Sequence, residues 1–102
     1  DNELKLIEYT KGGFYGWHTD FNIGICSIRK LVGIIQLTDP SEYEGGDVQF
    51  GIQDKHTKEW YTMNKLKGSL TLFPAFMCHN VVPVTKGKRY VIQEIFVGDH
   101  FR

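Results

Sequence analysis

The chain has no apolar run approaching the roughly 18 residues of a membrane-spanning helix, and no sustained 3.6-residue apolar period that would mark an amphipathic one. It also lacks a charge excess: 12 Lys and Arg offset 12 Asp and Glu, and no segment concentrates the cations. The electrostatic footprint of a nucleic-acid binder is therefore missing, and neither nucleic acid nor a membrane is expected as a partner. Cysteine is scarce. Cys26 and Cys78 are too few for the disulfide framework of a small secreted domain, which points to a reducing, cytoplasmic compartment. Cys78 adjoins His79 and would face the other way on a strand, so it is expected to be a small buried apolar residue rather than a ligand. The opening Asp1-Asn2-Glu3 is no signal peptide, and a first residue other than Met suggests a processed or excised core. Internal repeats, low-complexity tracts and linkers are absent, so residues 1–102 read as one domain. A chain of this length buries roughly two-thirds of its unfolded surface, enough for one core.

What is present is a rhythm of short apolar or alternating runs separated by Gly, Pro, Asn and Asp. Eight strands are expected: Leu4 to Tyr9, Tyr15 to Asp20, Leu31 to Leu37, Asp47 to Phe50, Glu59 to Met63, Ser69 to Phe73, Cys78 to Val82, and Arg89 to Val97. Gly12-Gly13, Asp39-Pro40, Gly45-Gly46, Lys67-Gly68, Pro74 and the segment Pro83 to Gly87 punctuate them. Gly45-Gly46 is a turn determinant rather than a phosphate cradle, because positive φ is free for glycine. An all-β fold follows, a double-stranded β-helix or jelly roll with two facing sheets and about eight core strands.

Within this frame His18-Thr19-Asp20 is answered by His79, 59 residues after Asp20, and then by Arg89. On a strand, residues i and i+2 share a face, so His18 and Asp20 can reach one metal while Thr19 turns away. Two imidazoles and one carboxylate leave open the coordination positions that an oxygen-activating Fe(II) centre needs. Arg89 begins the last strand, where Arg89, Val91, Gln93 and Ile95 share a face. An inward guanidinium is costly in an apolar interior unless an anion meets it, so its placement predicts an acidic ligand such as the far carboxylate of a small diacid. Singly, each residue has an ordinary reading: a turn histidine beside a carboxylate, a core histidine, a solvated hairpin cation. Their joint arrangement favours a site. His56 and His100 stand in polar surroundings and read as surface residues.

The order and spacing of Tyr15-Gly16-Trp17-His18-Thr19-Asp20, Tyr43-Glu44-Gly45-Gly46-Asp47, the segment Gly68 to Pro74 and the segment His79 to Tyr90 resemble the Fe(II)- and 2-oxoglutarate-dependent dioxygenase superfamily. More narrowly, they are similar to its prolyl 4-hydroxylase-like, PKHD-type branch. The resemblance implies a metal triad of His18, Asp20 and His79, and Arg89 as the anchor for the 2-oxoglutarate C5 carboxylate. It also implies that Tyr9 lies against the co-substrate. The cofactors implied are Fe(II), 2-oxoglutarate and O2, with ascorbate as reductant. The reaction implied is hydroxylation of a protein or peptide side chain, with release of succinate and carbon dioxide. Tyr15, Trp17 and Arg29 flank the expected metal entrance and would offer a platform to an extended, proline-containing peptide; for Trp17 and Trp60 ordinary packing is the competing reading.

Two departures stand out. Some relatives place a second, tyrosine contact to the C5 carboxylate on the third core strand, where this chain reads Ile34-Ile35-Gln36-Leu37, and Gln36 has no assigned role. The helices that usually precede the core are absent from this sequence. The outer sheet face then needs an N-terminal region, a partner or second copy of the chain, or a polar surface of its own. Two other functions remain open: a non-catalytic cupin-like metal-binding module, and a structural jelly-roll module of a larger assembly. Only the oxygenase requires the cation at Arg89.

Overall fold

In a computed structural model the protein is described over residues 3–19 and 29–97. Ten strands occur there: β1 Glu3–Tyr9, β2 Tyr15–His18, β3 Arg29–Gln36, β4 Tyr43–Gly45, β5 Val48–Gln53, β6 Trp60–Thr62, β7 Leu70–Pro74, β8 His79–Val81, β9 Val84–Gly87 and β10 Arg89–Val97. A short 3-10 turn at Pro40–Glu42, capped by Asp39, precedes β4. Among the described residues no helix is long and apolar enough to cross a membrane.

The strands form two four-stranded antiparallel sheets, ordered β1-β10-β3-β7 and β2-β8-β5-β6, with β4 and β9 paired as a separate ribbon. This is the expected double-stranded β-helix. Alternation along β1 turns Lys5, Ile7 and Tyr9 inward, level with Gln93, Val91 and Arg89 of β10, and leaves Leu4, Leu6 and Glu8 outside. Register continues across the sheet, setting Val91 opposite Gln36, Gln93 opposite Ile34, and Ile95 opposite Val32, which in turn faces Phe73. Val32, Ile34, Val48, Met63, Phe73, Ala75, Val81, Val91 and Ile95 make the buried core between the sheets. Removing a side chain such as Phe73 from such a core costs about 3–5 kcal/mol.

The eight expected strands all have counterparts, with ends shifted by a few residues. The ribbon β4–β9 was not among them, because Tyr43-Glu44-Gly45 and Val84 to Gly87 are short and rich in turn residues. Their pairing depends on long-range register, Tyr43 with Gly87 and Gly45 with Val84, and on positive φ at Gly45 and Gly87. One expectation is corrected: Cys78 is exposed rather than buried. His79 takes the inward side, so its neighbour must face out. Cys26 lies outside the described residues.

The outer face of the first sheet is apolar, with Leu4 and Leu6 about 70% exposed and Leu70 and Leu72 more than half exposed. A polar surface is therefore not what protects it.

Candidate metal and co-substrate site

The two sheets enclose a cavity of about 130 Å³, the size of a small diacid, lined from both sides. From the first sheet come Lys5, Ile7, Tyr9, Ile34, Arg89, Val91, Gln93 and Ile95, and from the second Tyr15, His18, Val48, His79 and Val81. His18, His79, Arg89, Tyr9 and Tyr15 are thus brought together.

His18 and His79 face each other across the β2–β8 pair, with ring centroids 4.1 Å apart. Each ring is oriented by the backbone two residues earlier: His18 Nδ1 lies 2.6 Å from the Gly16 carbonyl oxygen, and His79 Nδ1 lies 3.0 Å from that of Met77. A carbonyl only accepts, so Nδ1 carries the proton in both rings and the neutral ring's lone pair sits on Nε2. That is the arrangement by which metal-ligating histidines are usually fixed. His79 is buried, with Phe73 edge-on to its ring at 4.9 Å. Tyr15 stacks on His18 at 3.6 Å. Three residues apart on a regular strand, the two would point to opposite faces, but the β2–β8 register shifts between them and brings both to the cavity. Asp20 lies outside the described residues, so among the described residues two metal-capable side chains meet here and no group of three occurs.

At the other end Arg89 is 2% exposed. Its Nε donates to Gln36 Oε1 at 3.2 Å, and Gln36 Nε2 donates to the Tyr43 hydroxyl at 2.8 Å and to the Thr38 carbonyl at 3.0 Å. The guanidinium carbon sits 5.3 Å from the centre of the Tyr9 ring, a cation–π contact. Burial pulls the Arg89 pKa below its usual value, opposed by Tyr43, Tyr9 and Asp47; a guanidinium remains charged nonetheless. Arg89 Nη1 is buried and has no hydrogen-bond partner. A buried charged donor left unpaired is costly, and a ligand carboxylate is the chemical complement. The residues present therefore fit both groups: a borderline metal at the imidazoles and a carboxylate at Arg89.

Gln36, unassigned from sequence, holds the guanidinium in place. Tyr43 and Gly46 are neighbours of Arg89 that the sequence reading placed in a family-like segment and a turn, without a role at the site. Gly46 has φ +68, and a Cβ there would stand 2.9 Å from Val84 Cγ2 and 3.3 Å from Arg89 Cδ. The glycine pair in the sequence was the available signal, although read only as a turn. The anticipated aromatic platform is divided. Tyr15 lines the cavity, whereas Trp17 is exposed outside the lining and packs against Trp60 at 4.9 Å. Neighbouring positions on β2 alternate faces, so Trp17 and His18 diverge. The Arg29 side chain lies outside the described residues, as does His100, and His56 is exposed.

The model of the 2OG-Fe(II) oxygenase superfamily matches residues 4–97. A PKHD-type hydroxylase from Teredinibacter turnerae is 34% identical over 90 residues, covering 83% of this chain and 38% of its own length. The chain thus spans well under half of that relative. A Pseudomonas putida prolyl-4-hydroxylase structure superposes with a TM-score of 0.78 at 20% identity, over 97% of this chain and 54% of that one. A cupin domain from Bordetella pertussis superposes at 0.55 and 15% identity, over 96% of this chain and 82% of that one. The two structural likenesses speak for the shared double-stranded β-helix, and the match along nearly the whole sequence assigns the chain to the 2OG-Fe(II) oxygenase superfamily.

Proposed function

We propose that this chain is the catalytic core of an Fe(II)- and 2-oxoglutarate-dependent hydroxylase acting on a protein or peptide side chain, with prolyl residues the favoured target. Succinate and carbon dioxide are the co-products. The observation that carries the reading is the pairing, in one cavity, of two Nδ1-anchored imidazoles with a buried guanidinium whose Nη1 lacks a partner. His18 and His79, with Asp20 assigned from sequence, would hold the iron, which supplies the dioxygen activation that no side chain can. Arg89 binds the distal carboxylate of 2-oxoglutarate, Gln36 fixes the orientation of that guanidinium, and the Tyr9 ring lies against it. Ile34, Val48, Val81 and Val91 wall the cavity and limit bulk water around the reacting groups. Tyr15, stacked on His18, is placed to meet the substrate. Relatives named as PKHD-type and prolyl-4-hydroxylases support the hydroxylase class. Ascorbate is the proposed reductant, and a reducing, cytoplasmic compartment suits ferrous iron and an exposed Cys78 thiol. A non-catalytic cupin-like module would share the fold and the imidazoles but has no use for Arg89.

The test is succinate formation from 2-oxoglutarate by the anaerobically Fe(II)-loaded chain on admitting air, beside an Asp20→Ala control. Turnover that the control lacks is the expected result. Metal binding without 2-oxoglutarate binding would favour the non-catalytic module.

A further inference from the structure

Among the described residues two buried side-chain polar atoms have no hydrogen-bond partner, and they belong to groups of opposite charge: Arg89 Nη1 and Asp47 Oδ1. Both lie at the anchor end. Gly46, the residue before Asp47, packs so closely on the arginine's stem that a Cβ would stand 3.3 Å from Arg89 Cδ. Asp47 itself is pinned by its backbone, its carbonyl accepting from the Val82 N–H at 2.9 Å. A carboxylate is thereby kept in the neighbourhood of a buried cation.

The Asp47 charge is directed elsewhere. Its Oδ1 makes an ion contact with Lys65 Nζ at 2.8 Å, and that ammonium stands 5.3 Å from the centre of the Tyr43 ring. Tyr43 accepts from Gln36, which accepts from Arg89, so the pair adjoins the network that holds the guanidinium. An ion pair whose side chains are both more than a third exposed has an ordinary reading, a surface contact worth little. The burial of Oδ1 and the nearby arginine go beyond it. Burial lowers the Arg89 pKa, and of the groups that oppose this, Tyr43, Tyr9 and Asp47, the last is the one carboxylic acid. A buried cation needs compensation while its ligand is away, and no carboxylate occurs among the described residues that line the cavity.

Resting on the reading of Arg89 as the 2-oxoglutarate anchor, we infer that Asp47 is the counter-charge of the empty anchor and Lys65 its moderator, so that this ion pair sets how tightly the distal carboxylate binds. Asp47 repels the incoming carboxylate, and Lys65 offsets that repulsion. Both act through the field at Arg89 rather than by touching the diacid. The two halves of the pair therefore work in opposite senses, which those of a merely structural ion pair do not.

The test is calorimetric titration of 2-oxoglutarate into the Mn(II)-loaded chain and its Asp47→Asn and Lys65→Met variants. Asp47→Asn should tighten binding about threefold and Lys65→Met should weaken it about threefold, the order expected of partly exposed charges. Both differences should shrink as salt is raised. Losses in both variants, or no change in either, would overturn the inference. A second arm needs no ligand: urea unfolding of Asp47→Asn, Arg89→Met and the double variant. Loss of the Asp47 charge should cost the fold less when Arg89 is already replaced, and equal costs in the two backgrounds would remove the counter-charge role. If that coupling is found and the unmodified chain binds no 2-oxoglutarate, it is the oxygenase reading that fails.

Discussion

At the Arg89 end of the cavity the polar contacts join buried side chains far apart in sequence, Arg89 to Gln36 and Gln36 to Tyr43. At the His18 end the two imidazoles are each oriented by a carbonyl only two residues away. The anchor end is therefore a tertiary construction, rigid because each partner is fixed by others and vulnerable to a change at any of them. The ligand end is oriented more locally, each ring by a carbonyl of its own chain segment. A preorganised anchor binds one end of a small diacid with little further ordering of the protein, which leaves the more open end to accommodate metal, oxygen and substrate.

This contrast can be broken or sharpened by substitution. His79→Ala should have the largest effect, lowering divalent-metal affinity by more than about a hundredfold, since it removes a ligand rather than a supporting contact; competition titration with Mn(II) would measure it, and an unchanged affinity would remove His79 from the site. Gly46→Ala acts only at the anchor end, where a side chain meets Val84 and Arg89 in a backbone conformation that disfavours one. It should destabilise the fold by about 1–3 kcal/mol, read from urea unfolding, and weaken 2-oxoglutarate while sparing metal affinity. Gln36→Leu leaves Arg89 Nε without its acceptor and should reduce 2-oxoglutarate affinity about tenfold, toward the low end of the range for a buried unmet donor. Calorimetry showing no change would mean that Gln36 merely fills space. Smallest of all, Tyr9→Leu keeps an apolar wall but loses the ring face, and should cost about 0.5–1 kcal/mol of 2-oxoglutarate binding.

The same contrast explains what could be read beforehand. His79 and the inward face of β10 follow from alternation along single strands, and alternation is written in the sequence, whereas His18 was legible from its His-x-Asp motif. The eight core strands were legible for the same reason. Gln36 and Tyr43 were not, because their roles arise from a register that brings β3, β4 and β10 to one place. Trp17 and Tyr15 were taken together as neighbours at an entrance; the register shift in β2 separates them, and no residue in Tyr15-Gly16-Trp17-His18 announces it apart from the glycine. An outer sheet face needing cover was foreseen without its residues, and the structure identifies them as the exposed Leu4, Leu6, Leu70 and Leu72.

The central claim is that one cavity holds a metal at its histidines and, separately, a diacid at its arginine. Calorimetric titration of 2-oxoglutarate into the Mn(II)-loaded chain and its Arg89→Ala variant, with Mn(II) affinity measured for each, tests it most directly. The account predicts that the variant keeps its metal affinity and loses 2-oxoglutarate by at least about thirtyfold, the cost of truncating one member of a buried charge pair. An unchanged 2-oxoglutarate affinity would contradict it.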